Sequence, residues 1–208
     1  MIANLMTWLG GAIVTAISAG GYAGVIALMA LESACIPLPS EVIMPFAGYL
    51  VSTGRFGLFL VATAGAVGCN IGSAVAFEVG ARGGRPLVER WGARLLLNAG
   101  EIERVDRWFE RRGSITVLIG RLLPIVRTFI ALPAGIARMN RVRFHVYTFV
   151  GSWFWCLALA YVGMQLGEHW DSDPRLKAWM HRFDSAVLAV IVVGTGVFLL
   201  HRIRLRRH

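Results

Sequence analysis

The chain has 208 residues, 56% of them hydrophobic and seven of them tryptophan, with a mean hydropathy of +0.62, which is more apolar surface than one small soluble core buries. Its formal charge of +9 suits an anionic partner, but the basic residues cluster beside apolar runs, which points to lipid headgroups and away from nucleic acid. A soluble domain is thereby excluded, and an all-α integral membrane protein is predicted.

Residues 1–19 are apolar and lack the basic start of a secretory signal, so they are expected to stay in the mature chain as an interfacial or first membrane helix. Residues 20–36 are apolar enough for a membrane helix but carry Glu32 near the far end. In residues 37–53 the prolines Pro37, Pro39 and Pro45 are expected to break any straight span, and Glu41 is again a carboxylate in apolar company. That stretch reads as a re-entrant hairpin, tolerable only where its freed backbone is buried in protein or lines water.

Residues 56–77 hold no charge over 22 positions, enough at about 1.5 Å per residue to cross a hydrocarbon core of about 30 Å. Gly65, Gly68 and Gly72 in this span suit close helix contact. Residues 82–112 mix eight arginines and five acids with Trp91, Leu95, Val105, Trp108 and Phe109, the pattern of an amphipathic segment on the membrane surface. Glu78 stands four residues before Arg82, the spacing of a helical ion pair.

Residues 114–138 contain the stretch GRLLPIVRTFIALPAG, in which Arg121 and Arg127 sit in an apolar run interrupted by Pro124 and Pro133. An ionised side chain near mid-bilayer costs roughly 2.5–3.5 kcal/mol on insertion scales, so two arginines here imply a wet cavity, a bound anion or paired carboxylates. On an unbroken helix, six residues apart, they would point about 240° apart. Pro124 removes a helical hydrogen bond and biases Leu123 away from the α region, so a broken segment lets them converge. The plainer alternative is that both snorkel to one interface.

After a basic edge at Arg138, Arg141 and Arg143, residues 144–166 form a second uncharged span. Residues 168–184 are a polar loop, 185–200 a last apolar span, and the chain ends in a basic tail. The positive-inside rule puts 82–112, 138–143 and the tail in the cytoplasm and the 168–184 loop outside. It follows that 114–138 re-enters from the cytoplasm and 37–53 from outside. Two opposed, proline-interrupted, charged segments are the pointer to an inverted-repeat transporter with its site where the hairpins meet.

Cys35, Cys69 and Cys156 lie in apolar segments without CxxC or Cys/His clustering and read as small buried hydrophobes, so no metal and no cofactor is expected. His145 and His201 read as interfacial. All but one of the 21 cationic residues are arginine, which suits bidentate phosphate recognition and would equally follow from a GC-rich genome.

The run ESACIPLPSE from Glu32 to Glu41, with GRLLPIVRT from Gly120 to Thr128, resembles the DedA family of bacterial inner-membrane proteins, which share the VTT, or SNARE-associated, domain. The similarity covers residues 20–166, leaving 167–208 as the outer loop, last helix and tail. The resemblance implies two opposed re-entrant hairpins, lipid translocation and recycling of undecaprenyl phosphate, with other members tied to phospholipid movement or proton-dependent homeostasis. It places the family's essential acids on Glu32 and Glu41 and its essential arginines on Arg121 and Arg127, with the hairpin breaks at Pro37, Pro39, Pro124 and Pro133.

The expected function is therefore a non-enzymatic lipid transporter of the bacterial inner membrane, C-terminus cytoplasmic, in which Arg121 and Arg127 bind the phosphate of a polyprenyl phosphate. Phosphate competing for the arginines would favour protonating Glu32 or Glu41 and so couple lipid movement to protons. A permanent ion network that only pins the hairpins together is the structural alternative. Rival functions are a non-specific phospholipid scramblase and a proton-coupled ion or small-molecule carrier. A lipid phosphatase needs a base near the arginines; no histidine lies in either hairpin and no KxxxxxxRP or SGH pattern is present. Sequence does not decide between a monomer and a homo-oligomer.

Overall fold

A computed structural model describes residues 2–36, 38, 40–84 and 99–167. These residues form seven α-helices and one π-helical turn, with no strand among them. The predicted 168–184 loop, last span and basic tail lie outside the described residues, as do Pro37 and Pro39.

Helix α1 covers Ile2–Ser33 and bends at Gly21, whose φ of 58° and ψ of −136° are open only to glycine at little cost. The bend is tight, because Gly24 packs against the backbone of Ala16 and Ile17. After a turn in which Cys35 takes a positive φ of 68°, α2 runs over Ser40–Ser52. Pro45 was expected to break this stretch; it sits inside the helix instead. The lost hydrogen bond is outweighed by packing: glycine at 163 lets the helix of residues 141–166 seat directly on the Pro45 backbone, where any Cβ would collide.

The chain then returns to the level of the Gly21 bend. The Gly57 N–H donates to Tyr22 Oη at 2.9 Å, and the Tyr22 and Phe56 rings stack with centroids 4.6 Å apart. The second arm of α1 and the 13-residue α2 thus form an antiparallel pair, each about 20 Å long at 1.5 Å per residue. Neither arm alone reaches across about 30 Å of hydrocarbon.

Helix α3, Leu58–Val79, continues into a π-helical turn at Gly80–Gly84. Its glycines serve close packing as expected: Gly65 meets Cys156 and Met44, Gly68 meets Ile26 and Met29, and Gly72 meets the backbone of Ala30 and Ala34. Helix α4, Ala99–Arg121, carries the amphipathic segment onward through Gly113 without a break, so the first arm of the second hairpin is the same helix. Residues 85–98 of that segment lie outside the description.

The chain reverses after Arg121. Leu123 is extended, with φ −106° and ψ 120°, and Pro124 opens α5, Pro124–Phe129, as the sequence predicts. Helix α6, Ala131–Ile136, follows across Ile130. Pro133 falls in the first turn of α6, where its missing N–H has no helical partner to lose, so the discontinuity lies at Ile130 and not at the proline. Helix α7, Arg141–Leu166, starts at Asn140, whose side chain accepts from the Arg143 N–H.

Among the described residues three helical stretches are long and apolar enough to cross a membrane: Gly11–Ser33, which contains the Gly21 bend, Leu58–Gly83 and Arg141–Leu166. Large apolar side chains such as Phe59, Leu60, Val75 on α3 and Val142, Phe154 on α7 are exposed, an exterior suited to lipid. The core lies between α1, α2, α3 and α7, and a second cluster around Phe77, Val117 and Phe144 packs the other hairpin.

Candidate functional site

The two reversals of the chain meet against the middle of α3. Arg127 Nη2 donates to Glu32 Oε2 at 3.0 Å, and Thr128 Oγ1 donates to Glu32 Oε1 at 3.0 Å. Ser33 Oγ also donates to Glu32 Oε2 at 3.0 Å. The Cys35 thiol reaches the Thr128 carbonyl at 3.4 Å. Each hairpin tip thus supplies two residues to the contact between tips.

Arg121 sits at the other side of the same cluster. Its Nη2 donates to Ser73 Oγ, and Ser73 Oγ donates in turn to the Cys69 carbonyl one helical turn back. Cys69 Sγ lies 3.6 Å from Arg127 Nη2, so a single turn of α3 links the two guanidinium groups. Gly151 of α7 leaves room for the Arg121 stem: a Cβ there would stand 2.8 Å from Arg121 Cβ. The Trp155 ring lies under Arg127, with Cζ 5.5 Å from its centroid.

Both arginines are 1% exposed and both lie in the last turn of a helix, where the carbonyl ends favour a cation. Even so, their hydrogen-bonding capacity is not used up. Arg121 Nε and Nη1 and Arg127 Nη1 have no hydrogen-bond partner among the described residues, nor do Thr148 Oγ1 and Trp155 Nε1. Buried donors left open in this number need a partner, since each costs free energy comparable to a lost hydrogen bond.

Of the residues singled out in the sequence, Glu32, Arg121 and Arg127 are brought into one buried cluster. Glu41 is placed at the start of α2, half-buried, where its Oε1 accepts from Ser40 Oγ at 3.2 Å. Glu78 makes the expected ion pair with Arg82 at 3.1 Å and a second with Arg141 at 2.8 Å. His145 is not simply interfacial: its Nδ1 lies 2.5 Å from Asn70 Oδ1, in the middle of α3.

Cys69 and Cys156 are buried as expected, but the Cys69 thiol also touches Arg127. Ser73, Thr128, Thr148 and Trp155 were not singled out. The available signal was spacing: Cys69 and Ser73 are i, i+4 on α3, and Thr148, Ser152 and Trp155 are i, i+4, i+7 on α7, one polar edge on each of two apolar spans.

The VTT domain family matches residues 38–165. The chain is 33% identical over 194 residues to a Bacillus subtilis protein named undecaprenyl phosphate transporter A, covering 93% of this chain and 91% of that one. A Staphylococcus aureus protein of the same name is 30% identical over 195 residues, covering 92% of this chain and 95% of the other. A Lactococcus lactis protein named alkaline phosphatase-like protein is 30% identical over 185 residues, covering 86% and 84%. No solved structure matches the chain.

Proposed function

We propose that this chain, which belongs to the VTT-domain, or DedA, family, carries undecaprenyl phosphate across the bacterial inner membrane for reuse of the carrier lipid. The observation that carries the reading is the buried pair Arg121 and Arg127 with three guanidinium nitrogens uncommitted among the described residues. An anion with several acceptor oxygens satisfies such a set, and a phosphate accepts from arginine bidentately. The relatives named as undecaprenyl phosphate transporters support the choice of lipid.

In this reading the first re-entrant hairpin, expected at residues 37–53, is the second arm of α1 with α2, residues 22–53; it and residues 114–138 face opposite sides, related as an inverted repeat, and the site forms where they touch. The contacts between tips run through Glu32 and Cys35 on one and Arg127 and Thr128 on the other. Phosphate arriving at Arg127 displaces Glu32, which frees the tips to separate and favours proton uptake by the released carboxylate. The ion pair thereby acts as a latch that the substrate opens. The C-terminal tail faces the cytoplasm in the same scheme.

A phosphatase reading, suggested by the name of the lactococcal relative, would use the same arginines. It also needs a nucleophile with a base beside it. Ser73 Oγ donates to a backbone carbonyl, and Glu32 is held by Arg127, Thr128 and Ser33, which fits binding better than turnover.

Reconstitution into proteoliposomes tests the proposal directly. Undecaprenyl phosphate placed in one leaflet should appear in the other only with the protein present, faster than a phosphatidylglycerol control. Equal rates for both lipids would make the protein a non-specific scramblase, and release of inorganic phosphate would make it an enzyme.

A further inference from the structure

On α7, Thr148, Gly151, Ser152 and Trp155 stand at i, i+3, i+4 and i+7 and so on one side of the helix. The row is fixed to the site at two points, by Gly151 against the Arg121 stem and by the Trp155 ring against Arg127. Thr148 is fully buried. Its hydroxyl differs from several others on the helices of this chain. Thr15, Thr63, Ser73 and Thr116 each donate to the carbonyl four residues back, the ordinary solution inside a helix, whereas Thr148 Oγ1 has no partner among the described residues.

Trp155 stands out in the same way. Two residues earlier, Trp153 donates its indole N–H to Thr63 Oγ1 at 3.2 Å, and Trp108 donates to Thr116 Oγ1 at 2.9 Å. Trp155 Nε1 is buried with no partner among the described residues. Both open donors on α7 therefore accompany the three open arginine nitrogens, and the five atoms are four N–H nitrogens and one hydroxyl. Every one of them can donate.

We propose that Thr148 and Trp155 are phosphate-binding residues, so that a bound phosphate monoester is gripped from one side by Arg121 and Arg127 and from the other by α7. This rests on the reading of the arginines as a phosphate site. The chemistry matches in sense: a monoester presents three terminal oxygens, all acceptors, to five open atoms each of which can donate.

The test uses the full chain purified in dodecyl maltoside micelles, with dodecyl phosphate as the probe. Trp155→Phe keeps an aromatic face for Arg127 and removes the N–H, and Thr148→Val keeps the shape and removes the hydroxyl. Each is expected to weaken dodecyl phosphate binding about tenfold, the worth of one hydrogen bond to a charged group. Their ligand-free melting temperatures should be unchanged or higher, because the deleted donors have no partner among the described residues; a structural role would lower them.

Wild-type affinity in both variants, with binding lost in Arg121→Ala, overturns the α7 contacts and leaves the arginine site standing. Wild-type affinity in Arg121→Ala as well overturns the phosphate-site reading itself. Independently of any variant's folding, one of the seven indole N–H signals of the 15N-labelled wild type should move downfield saturably with the probe; seven unmoved signals overturn the proposal. A parallel titration with inorganic phosphate separates the two sources of the chemistry: the same saturable shift with both assigns the α7 contacts to free phosphate as well as to the lipid-borne group, and a shift with dodecyl phosphate alone assigns them to lipid.

Discussion

Arg127 and Glu32 lie 95 residues apart in the sequence and meet at 3.0 Å, with side chains 2% and 3% exposed. A pair so buried is weak evidence for stability, because desolvating two ions costs about as much as their attraction returns. Its value here is positional: it joins the two hairpin tips, and in the proposed mechanism an incoming anion replaces it. The neighbouring Arg121 leans on the neutral Ser73, which biases the cluster toward an anion.

Arg121→Ala and Arg127→Ala are each expected to abolish lipid translocation in proteoliposomes while the protein still inserts in the membrane. One remaining guanidinium cannot make the same multidentate grip, and a lost charge-assisted bond is worth about 1.5–3 kcal/mol, or roughly ten- to hundredfold in binding. Arg121→Lys and Arg127→Lys should be impaired too, since an ammonium lacks the planar fork. Normal transport in both alanine variants would refute the phosphate clamp, and wild-type rates in both lysine variants would reduce the arginines to point charges.

Gly151→Ala probes the seat of Arg121. A methyl group at 151 would sit 2.8 Å from Arg121 Cβ and 3.2 Å from the Leu118 carbonyl, inside contact distance. Both atoms are fixed by the α4 backbone, so no rotamer relieves the contact and α4 must move away from α7, at a cost of about 1–3 kcal/mol for overpacking. Transport should fall severalfold with a modest loss of thermal stability. Unaltered transport and melting would mean that α4 and α7 are free to separate at this level in the resting protein.

The architecture was legible wherever hydrophobic length or a proline spoke for itself. The uncharged span at 56–77 became α3, the packing glycines 65, 68 and 72 became helix contacts, and Leu123 left the α region ahead of Pro124. Pro45 and Pro133 misled because the cost of a proline depends on where it falls: one is outweighed by packing against Gly163, the other sits in a first turn that needs no N–H. In the site, charge betrayed Glu32, Arg121 and Arg127, since ionised groups in apolar runs are conspicuous. Ser73, Thr148 and Trp155 were not conspicuous, because a hydroxyl or an indole in a membrane helix is ordinary until its hydrogen bonds are traced.

The orientation scheme makes a labelling prediction. With Cys35, Cys69 and Cys156 replaced, a cysteine at Ser172 should react with an impermeant reagent from the periplasm, and one at Ser114 or after His208 only from the cytoplasm. Reaction at 172 and at the C-terminus from one side would remove the opposed arrangement of the hairpins.

Glu32→Gln separates a proton-coupled carrier from a fixed ion network. Removing one member of a buried pair leaves the other uncompensated, at about 3–5 kcal/mol, so the empty variant should melt lower than wild type. The glutamine carbonyl can still accept from Thr128, so the tips are not simply cut apart. With the competing carboxylate gone, Arg127 has more to gain from an anion: dodecyl phosphate should bind at least as tightly as to wild type and restore the melting temperature by a larger increment. Translocation should nevertheless fail, because displacement of the lipid at the end of the cycle requires a carboxylate that can reclaim Arg127. The wild type, under this mechanism, responds to an imposed pH gradient and the variant does not. Glu41→Gln should show the same pattern if its carboxylate shares the proton. Transport at wild-type rates in both glutamine variants, with no gradient dependence in the wild type, would leave the acids as structural partners of the arginines and the protein an uncoupled lipid carrier.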